Sequence, residues 1–476
     1  MNFLSPYSLF PGPQSPSRLL LLYNPYVSGK RVRLTLIVVA AAVLSAVALW
    51  WALPRLVAAM PGRYLHYVPE TIVEMVTTPL PTPLPPPSAP APAALELALS
   101  TPTPATPTPT TIVPTPEVTP EAAADATNEP QRTNTPAPTA TPEVPPTPTH
   151  RPLPVATRID GLPIIPQKFN NCGPTNMTIV LNYYGVEVDQ FDVAAVARPN
   201  YEDRNVSPDE LVAYVNNHTD LRASHYVGGD VDLLRALLAA GLPVIIEKGL
   251  EPDATIGWMG HYLTVFGYDD AAGHLLVRDT YLGPWREDGV VSYEDTARYW
   301  SQFNGAFIVV YPPERAAELA QTLGPTFADA RSMWAAAAER ARASVRIAPE
   351  ESFDWFNLGT SLTALAGLNG DAAHYSAAAA AYDQARLLGL PARMMWYQFG
   401  PYEAYLASGR HEDVLTLVEA TFAGQGGRNV EETYYYQGRA LLMAGDEPGA
   451  RAAFQRAVAL NPASAVGRAA AAALGE

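Results

Sequence analysis

An uninterrupted hydrophobic run stands near the start of this chain. From Leu34 to Leu53 the sequence is LTLIVVAAAVLSAVALWWAL, twenty residues without a charged side chain. A helix rises about 1.5 Å per residue, so about 20 residues span a hydrocarbon core of roughly 30 Å. Trp50 and Trp51 stand near one end, where aromatic rings favour a membrane interface. The pattern predicts a transmembrane helix over residues 34–53.

Basic residues flank this run unequally. Lys30, Arg31 and Arg33 precede it, and fewer basic residues follow it closely. Loops with more Lys and Arg stay in the cytoplasm, so we expect residues 1–33 to form a cytoplasmic N-terminal tail and the rest to lie outside. A cleavable signal peptide has a shorter apolar region of roughly 7–15 residues and a short leader. An uncleaved, single-pass anchor in the cell membrane is therefore the favoured interpretation.

Proline, threonine and alanine dominate the next part of the chain. Roughly half of the 48 prolines lie between Pro79 and Pro154, in stretches such as TPTPATPTPTTIVPTP. Such a segment has too few large apolar residues to offset the entropy lost on ordering, and proline favours an extended conformation. We expect a disordered Pro/Thr-rich stalk over 54–157. The apolar island Ala93–Ser100 is too short to form a domain.

Patterns typical of a folded α+β domain begin near Ile159 and predict its bounds as 158–312. Apolar residues at helical spacing follow Pro174 and end at Gly185. Pro208–Asn216 and Val231–Ala240 are two further predicted helices. Apolar or alternating runs predict strands, and DDAAG predicts a hairpin turn between two of them. The predicted strands are Pro243–Glu247, His261–Tyr268, Leu275–Asp279 and Ala306–Tyr311.

From residue 313 to 476 the chain is rich in alanine, with apolar residues at helical spacing. Thr433–Pro462 resembles a tetratricopeptide repeat, and a second unit begins at Trp355. We therefore predict an all-α tetratricopeptide-repeat solenoid, a fold that offers a concave surface to a peptide or protein partner. An array that only packs against the preceding domain is the open alternative. The matching positions are Tyr434, Gly438, Leu441, Ala450, Phe454, Ala457 and Pro462.

Net charge and cysteine content exclude several classes of function. The formal net charge is -16, whereas binding to nucleic acid needs a basic surface. The single cysteine excludes an internal disulfide and a multi-cysteine zinc site. What remains is one free thiol, Cys172, whose neighbours decide its chemistry.

The thiol stands where a helix is predicted to begin. Proline in Cys172-Gly173-Pro174 suits the first helical turn, where its missing N–H is not needed. The helix dipole then favours a thiolate at Cys172. A thiol nucleophile also needs a base, a group that orients the base and donors for an oxyanion. His261, Asp279 and Gln167 supply these groups, because folding the predicted hairpin brings Asp279 near His261.

Two stretches together resemble a known family. Gln167–Gly185 begins Q-x-x-x-x-C-G-P and ends Y-Y-G, and Gly260-His261-Tyr262 is followed by G-Y-D-D and Arg278-Asp279. They resemble the bacteriocin-processing peptidases, papain-like cysteine peptidases whose transporter-linked members cut leader peptides after a double glycine. The resemblance implies a papain-like fold, peptide or protein substrates, and no metal or organic cofactor. It assigns Cys172 as nucleophile, His261 as general base, Asp279 as orienting acid and Gln167 as oxyanion donor.

The chain also departs from that family. It has no Walker motif G-x-x-x-x-G-K-[S/T] and one predicted membrane span, so export-coupled leader cleavage does not carry over. The favoured interpretation is a membrane-anchored extracytoplasmic cysteine peptidase. A catalytically inactive binding module with the same fold and a cell-wall peptide amidase or acyltransferase are the alternatives.

Overall fold

The computed structural model describes residues 29–58, 83–88, 92–100, 152–252, 257–424 and 426–475. The chain divides into two compact units, Met1–Thr78 and Pro79–Glu476. In the first unit, helix α1 spans Gly29–Ala58. Its stretch Arg33–Ala52 is long and apolar enough to cross a membrane. Most of the predicted tail 1–33 lies outside the described residues.

A seven-stranded antiparallel sheet is the centre of the second unit, and residues 152–312, which contain it, are called the sheet domain. The strand order is β2-β7-β3-β4-β5-β6, with β1 paired to the end of β4. Strand β3 lies between β7 and β4, and all of its residues are buried. The strands are β1 Ala156–Arg158, β2 Arg222–Tyr226, β3 Val244–Leu250, β4 Met259–Asp269, β5 His274–Arg278, β6 Gly289–Ser292 and β7 Phe307–Tyr311.

Helices cover both faces of this sheet, because its central strands are apolar on both sides. Helices α3, α4 and α5 pack on the face that carries Ile245, Tyr262 and Ile308. Helix α6 packs on the opposite face against Ile246 and Leu263. The helices outside the C-terminal region are α2 Pro92–Leu99, α3 Cys172–Tyr183, α4 Gln190–Ala197, α5 Pro208–His218, α6 Val231–Ala239 and α7 Tyr293–Ser301.

Residues 313–475, called the helical domain, contain no strand among the described residues. Paired helices approach closely where a glycine faces an aromatic ring: a Cβ at Gly359 would lie 2.7 Å from Tyr382, and one at Gly438 would lie 2.5 Å from Phe454. The same small-against-large contact in two helix pairs fits the predicted repeats, whose assignment stays a prediction. The helices are α8 Ala316–Leu323, α9 Ala330–Ile347, α10 Ser352–Asn369, α11 Ala372–Leu388, α12 Gly400–Ala407, α13 His411–Ala423, α14 Glu431–Met443, α15 Glu447–Leu460 and α16 Ala465–Leu474, with 3-10 turns at Pro313–Arg315, Pro325–Phe327, Ala392–Trp396 and Gly426–Asn429.

Parts of the predicted stalk are packed structure, which differs from the disordered segment expected over 54–157. Leu84 is buried, and its N–H donates to the carbonyl of Leu390 at 2.8 Å. Arg386 donates to the carbonyls of Pro85 at 2.8 Å and Pro86 at 3.0 Å. The proline-rich backbone is ordered here because the Arg386 guanidinium donates hydrogen bonds to two of its carbonyls.

The helix α2 is docked on the helical domain as well. Ala98 is fully buried, and its carbonyl accepts a hydrogen bond from Arg342 at 2.7 Å. At the other end of the predicted stalk, β1 is part of the sheet domain, and Pro154 accepts a hydrogen bond from Tyr268 at 2.7 Å. The rest of the predicted stalk, apart from 54–58 in α1, lies outside the described residues.

The helical domain packs beside the start of β4. Asn357 donates to the carbonyl of Ser301 at 2.6 Å. The Trp258 ring stacks on Phe303 with centroids 5.7 Å apart and meets Tyr397 edge-on at 6.0 Å. A Cβ at Gly260 would lie 3.0 Å from the Tyr397 ring, so only glycine allows this approach. The helices thus contact the sheet domain next to the strand that carries His261.

Candidate active site

Cys172 is the first residue of α3, as the Gly-Pro pair after it predicts. Asn170, in the left-handed region with φ 57°, turns the chain into the helix. The N-cap residue Asn171 does not cap the helix with its side chain. Its Oδ1 instead accepts a hydrogen bond from Arg198 at 2.7 Å. The first N–H groups of α3 therefore stay available to a negative charge at Cys172.

His261 and Asp279 meet within hydrogen-bond distance. Nε2 of His261 lies 3.0 Å from Oδ1 of Asp279, although 18 residues separate them in the sequence. Thr264 pairs with Arg278 across β4 and β5, so Asp279 follows directly after the paired residues. Both side chains are buried. Asp279 also accepts the N–H groups of Tyr281 and Leu282 at 2.9 and 2.8 Å, which hold its carboxylate in place.

The thiol and the imidazole change each other's acidity. Burial favours the neutral thiol, but the nearby His261 outweighs it and lowers the pKa of Cys172. Nδ1 of His261 has no hydrogen-bond partner among the described residues. Burial likewise disfavours the imidazolium, but Asp279 and the thiol outweigh it and raise the pKa of His261 to about 9. The pKa of Asp279 falls to about 2, because His261 outweighs the effect of burial. The two shifts act in the same direction, because each favours a thiolate–imidazolium pair over the neutral thiol and imidazole.

A family model matches part of the sheet domain. Residues 159–308 match the Peptidase_C39 like family. The match confirms, for this part of the chain, the family resemblance of the sequence motifs. No curated protein sequence matches the chain.

Two solved structures are similar to about a third of this chain. One is a C39-like peptidase from Bacillus anthracis, 18% identical, with a TM-score of 0.27; the match covers 33% of this chain and 96% of that one. The other is a double glycine motif protease from an AMS/PCAT transporter in complex with the leader peptide, 19% identical, with a TM-score of 0.25. That match covers 33% of this chain and 94% of the other.

Gln167 is oriented by Thr280, the residue after Asp279. The Thr280 hydroxyl donates to Oε1 of Gln167 at 2.9 Å, and the Gln167 N–H donates to the Thr280 carbonyl at 2.9 Å. The amide oxygen accepts the Thr280 hydroxyl, which orients the side chain. The NH2 group is left to donate to another group. The backbone of Gly173, within the first turn of α3, is one of the groups that lower the pKa of the thiol. The Gln167 side chain and the backbone N–H groups at the start of α3 are thus the two candidate kinds of donor.

Asn176 joins the helix to the sheet and is absent from the sequence prediction. Its Nδ2 donates to the carbonyls of Cys172 and Tyr262, both at 2.8 Å. Its Oδ1 accepts the Thr264 hydroxyl at 2.8 Å. The side chain is fully buried. One amide therefore ties the residue that carries the thiol to the strand that carries the imidazole.

A buried carboxyl stands near the thiol. Glu247 is 5% exposed and lies opposite Tyr262 in the pairing of β3 with β4. Burial, and then the negative charge of Cys172, raise its pKa well above the usual value, which favours the neutral form of Glu247. The described residues contain no group of three or more His, Cys, Asp or Glu side chains placed to hold a metal ion.

Proposed function

We propose that the chain is a membrane-anchored cysteine peptidase in which Cys172, His261 and Asp279 form the catalytic triad. The observation that carries this proposal is the position of the thiol at the N-terminus of α3, where His261 lowers its pKa while Nε2 of His261 bonds to Asp279. The match to the Peptidase_C39 like family supports it. Peptide bonds of peptides or protein tails are the substrates.

Acyl transfer to the thiolate begins the reaction. The thiolate of Cys172 attacks the peptide carbonyl carbon, and a carbon–sulfur bond forms as the carbonyl electron pair moves onto oxygen. The Gln167 amide and backbone N–H donors stabilise the oxyanion. As the tetrahedral species collapses, the C–N bond breaks and the imidazolium of His261 gives its proton to the leaving amine.

Water completes the cycle. His261, now neutral, takes a proton from water, whose oxygen attacks the thioester carbonyl. The C–S bond breaks, the carboxylic acid product leaves, and the thiolate–imidazolium pair is restored. Asp279 stays ionised throughout, because its pKa is about 2, and keeps Nε2 of His261 protonated and oriented.

The apolar helix within α1 is the proposed anchor, with the N-terminus in the cytoplasm and the peptidase outside. The stretch Arg33–Ala52 supports the anchor by length and composition. The excess of basic residues before it supports the orientation. The helical domain lies beside the start of β4, the strand that carries His261, and its proposed role is to select substrates or partners there.

The deciding experiment is alkylation of the full chain in detergent micelles with iodoacetamide across pH. The chain has one cysteine, so label uptake reports Cys172 alone, and Cys172→Ala is the blank. We expect fast alkylation well below the reference thiol pKa of about 8.5, and slower alkylation at low pH in His261→Ala. Hydrolysis of a proteome-derived peptide library, read by mass spectrometry, then shows whether the thiolate cuts peptide bonds.

Each alternative has its own result. An ordinary thiol titration, unchanged in His261→Ala, means an inactive binding module and rejects the proposal. Fast alkylation with cleavage of cell-wall stem peptides, and none of ordinary polypeptides, means an amidase instead.

A further inference from the structure

We propose that Arg204 is a substrate-specificity residue that binds a carboxylate of the peptide next to the scissile bond. The inference rests on the proposed peptidase function and names the class of substrate: peptides with an acidic side chain or a free C-terminal carboxylate near the cut. Arg204 belongs to the loop between α4 and α5.

The guanidinium of Arg204 is held between two parts of the molecule. Its Cζ lies 5.9 Å from the centroid of the Phe169 ring and 5.8 Å from that of Trp396. Phe169 stands three residues before Cys172, whereas Trp396 belongs to the helical domain. Contact with aromatic faces leaves the N–H edge of a guanidinium able to donate two parallel hydrogen bonds.

A buried arginine holds the loop in shape. Nη1 of Arg198 donates to the carbonyls of Asn200, Tyr201 and Asp203 at 3.1, 2.7 and 2.9 Å. Its Nη2 donates to Asn171, the residue before the thiol. Arg204 therefore stands on a loop that is fixed to the start of α3 before any substrate binds, which lowers the entropy cost of recognition.

Arg204 interacts with two tyrosines that also interact with the reacting groups. Its pKa is lowered by burial and is affected by Tyr281 and Tyr397. The Tyr281 ring lies 6.1 Å from the His261 ring, centroid to centroid. The charge of Cys172 contributes to the raised pKa of Tyr397, after burial, and a Cβ at Gly260 would lie 3.0 Å from the Tyr397 ring. The two tyrosines thus connect Arg204 to the thiol and the imidazole.

No carboxylate of the described residues forms an ion pair with Arg204. A second guanidinium, that of Arg393, lies over the same Trp396 ring at 5.3 Å, and burial, with a smaller contribution from Arg204, lowers its pKa. Burying the charge of Arg204 without an anion is unfavourable. A substrate carboxylate would neutralise this charge, and an arginine is well suited to bind it in two-point fashion.

The helical domain completes the subsite. A Cβ at Gly426 would lie 2.7 Å from Trp396 and 3.0 Å from Cδ of Arg204. Asn200, on the same loop, donates to the carbonyl of Asn429 at 3.1 Å. The helical domain therefore supplies one wall of the subsite and contributes to substrate specificity.

The test uses the full chain in detergent micelles and a set of Ala/Gly hexapeptides that each carry one Glu at a different position. Peptides with Gln in place of Glu lack the side-chain charge. Peptides with a C-terminal amide lack the terminal carboxylate, so the two sets separate binding of a side-chain carboxylate from binding of the C-terminus. Two readouts are taken: hydrolysis by mass spectrometry, and protection of Cys172 from iodoacetamide, which reports occupancy without needing turnover. The variants are Arg204→Gln and Arg204→Lys, with exposed Arg331→Gln on α9 as the matched control.

We expect an acidic peptide to be preferred over its neutral counterpart by about tenfold to a hundredfold, the range for a charge-assisted hydrogen bond. Arg204→Gln should bring that ratio close to one, Arg204→Lys should keep part of it, and Arg331→Gln should keep all of it. Equal ratios for Glu and Gln peptides in the parent chain, or a ratio that survives Arg204→Gln, overturn the subsite while hydrolysis still supports the peptidase. Protection by acidic peptides without hydrolysis keeps the subsite and rejects the peptidase. Neither protection nor hydrolysis rejects both.

Discussion

His261 Nε2 donates to Asp279 Oδ1 at 3.0 Å with both side chains buried, so the charge on one side chain sets the acidity of the other. The pKa of His261 is raised to about 9 because Asp279 and the thiol outweigh burial. The imidazolium is thus present over the whole neutral range. The acid that protonates the leaving amine is lost only as the pH rises through about 9.

Asp279→Asn should move this upper limit. Without the carboxylate, the pKa of His261 falls toward its reference value of about 6.5, so the imidazolium fraction at pH 8 drops roughly thirtyfold. We expect the alkaline limb of kcat/KM for peptide hydrolysis to move down from about pH 9, with a loss of similar size at pH 8. Exposed Asp220→Asn is the control. An alkaline limb that stays near pH 9 in Asp279→Asn would show that another group titrates there.

Asn176→Ala should weaken both the fold and the site. The change leaves the buried carbonyls of Cys172 and Tyr262 without their shared donor. Loss of a buried partner costs roughly 1–3 kcal/mol in the free energy of unfolding. Urea unfolding measures this cost, and slower alkylation of Cys172 at pH 6 measures the loss of alignment with His261. Asn217→Ala, on an exposed position of α5, should change neither quantity. A parent-like alkylation rate in Asn176→Ala would mean that Asn176 is structural only.

Local sequence predicted the elements that carry the triad, because each has a local cause. Proline after Cys172-Gly173 starts a helix, and DDAAG turns β4 back into β5, which brings Asp279 near His261. The strands β1, β2 and β6 were not predicted. The five residues of β2, RASHY, have no apolar run or clear alternation, and they join the sheet only through β7.

The remaining features depend on contacts that no local pattern encodes. An asparagine inside a helix has many uses, so Asn176 could not be singled out before Tyr262 and Thr264 were placed beside it. The packed prolines of the predicted stalk have the composition of a disordered segment. They are ordered because Arg386, about 300 residues later in the chain, donates hydrogen bonds to the carbonyls of Pro85 and Pro86.

Ser88→Ala should loosen this docked segment. The Ser88 hydroxyl donates to Oδ2 of Asp413 at 2.6 Å, and its N–H donates to Oδ1 at 3.0 Å. Losing the hydroxyl bond costs about 1 kcal/mol, which makes local opening roughly fivefold more frequent. Hydrogen exchange at the amide of Leu84, which bonds to Leu390, measures it. The matched control is Ser100→Ala, because that hydroxyl bonds only to the nearby carbonyl of Glu96. Equal exchange in the two variants would mean that Asp413 does not hold the segment.

The contact between the two domains should weaken as the pH rises. Asp203 and Glu210 of the sheet domain lie near Glu431 and Glu432 of the helical domain, and Asn461 donates to Glu431 at 2.9 Å. Burial, and then repulsion from Glu431, raise the pKa of Glu210 to about 7. The pKa of Glu432 is raised well above its usual value for the same reasons.

Carboxyls with raised pKa values bind more protons in the folded chain than in the unfolded chain between about pH 4.3 and their folded pKa values. The free energy of unfolding therefore falls as the pH rises through that window. We expect a higher Tm at pH 5 than at pH 8. Glu210→Gln should raise the Tm at pH 8 and change it little at pH 5, because the Glu210 carboxyl, with a pKa of about 7, is charged mainly at the higher pH. Exposed Glu419→Gln should leave the difference between the two pH values intact. If Glu210→Gln shifts the Tm equally at both pH values, its carboxyl does not titrate in the folded chain and repulsion between the domains is not the cause.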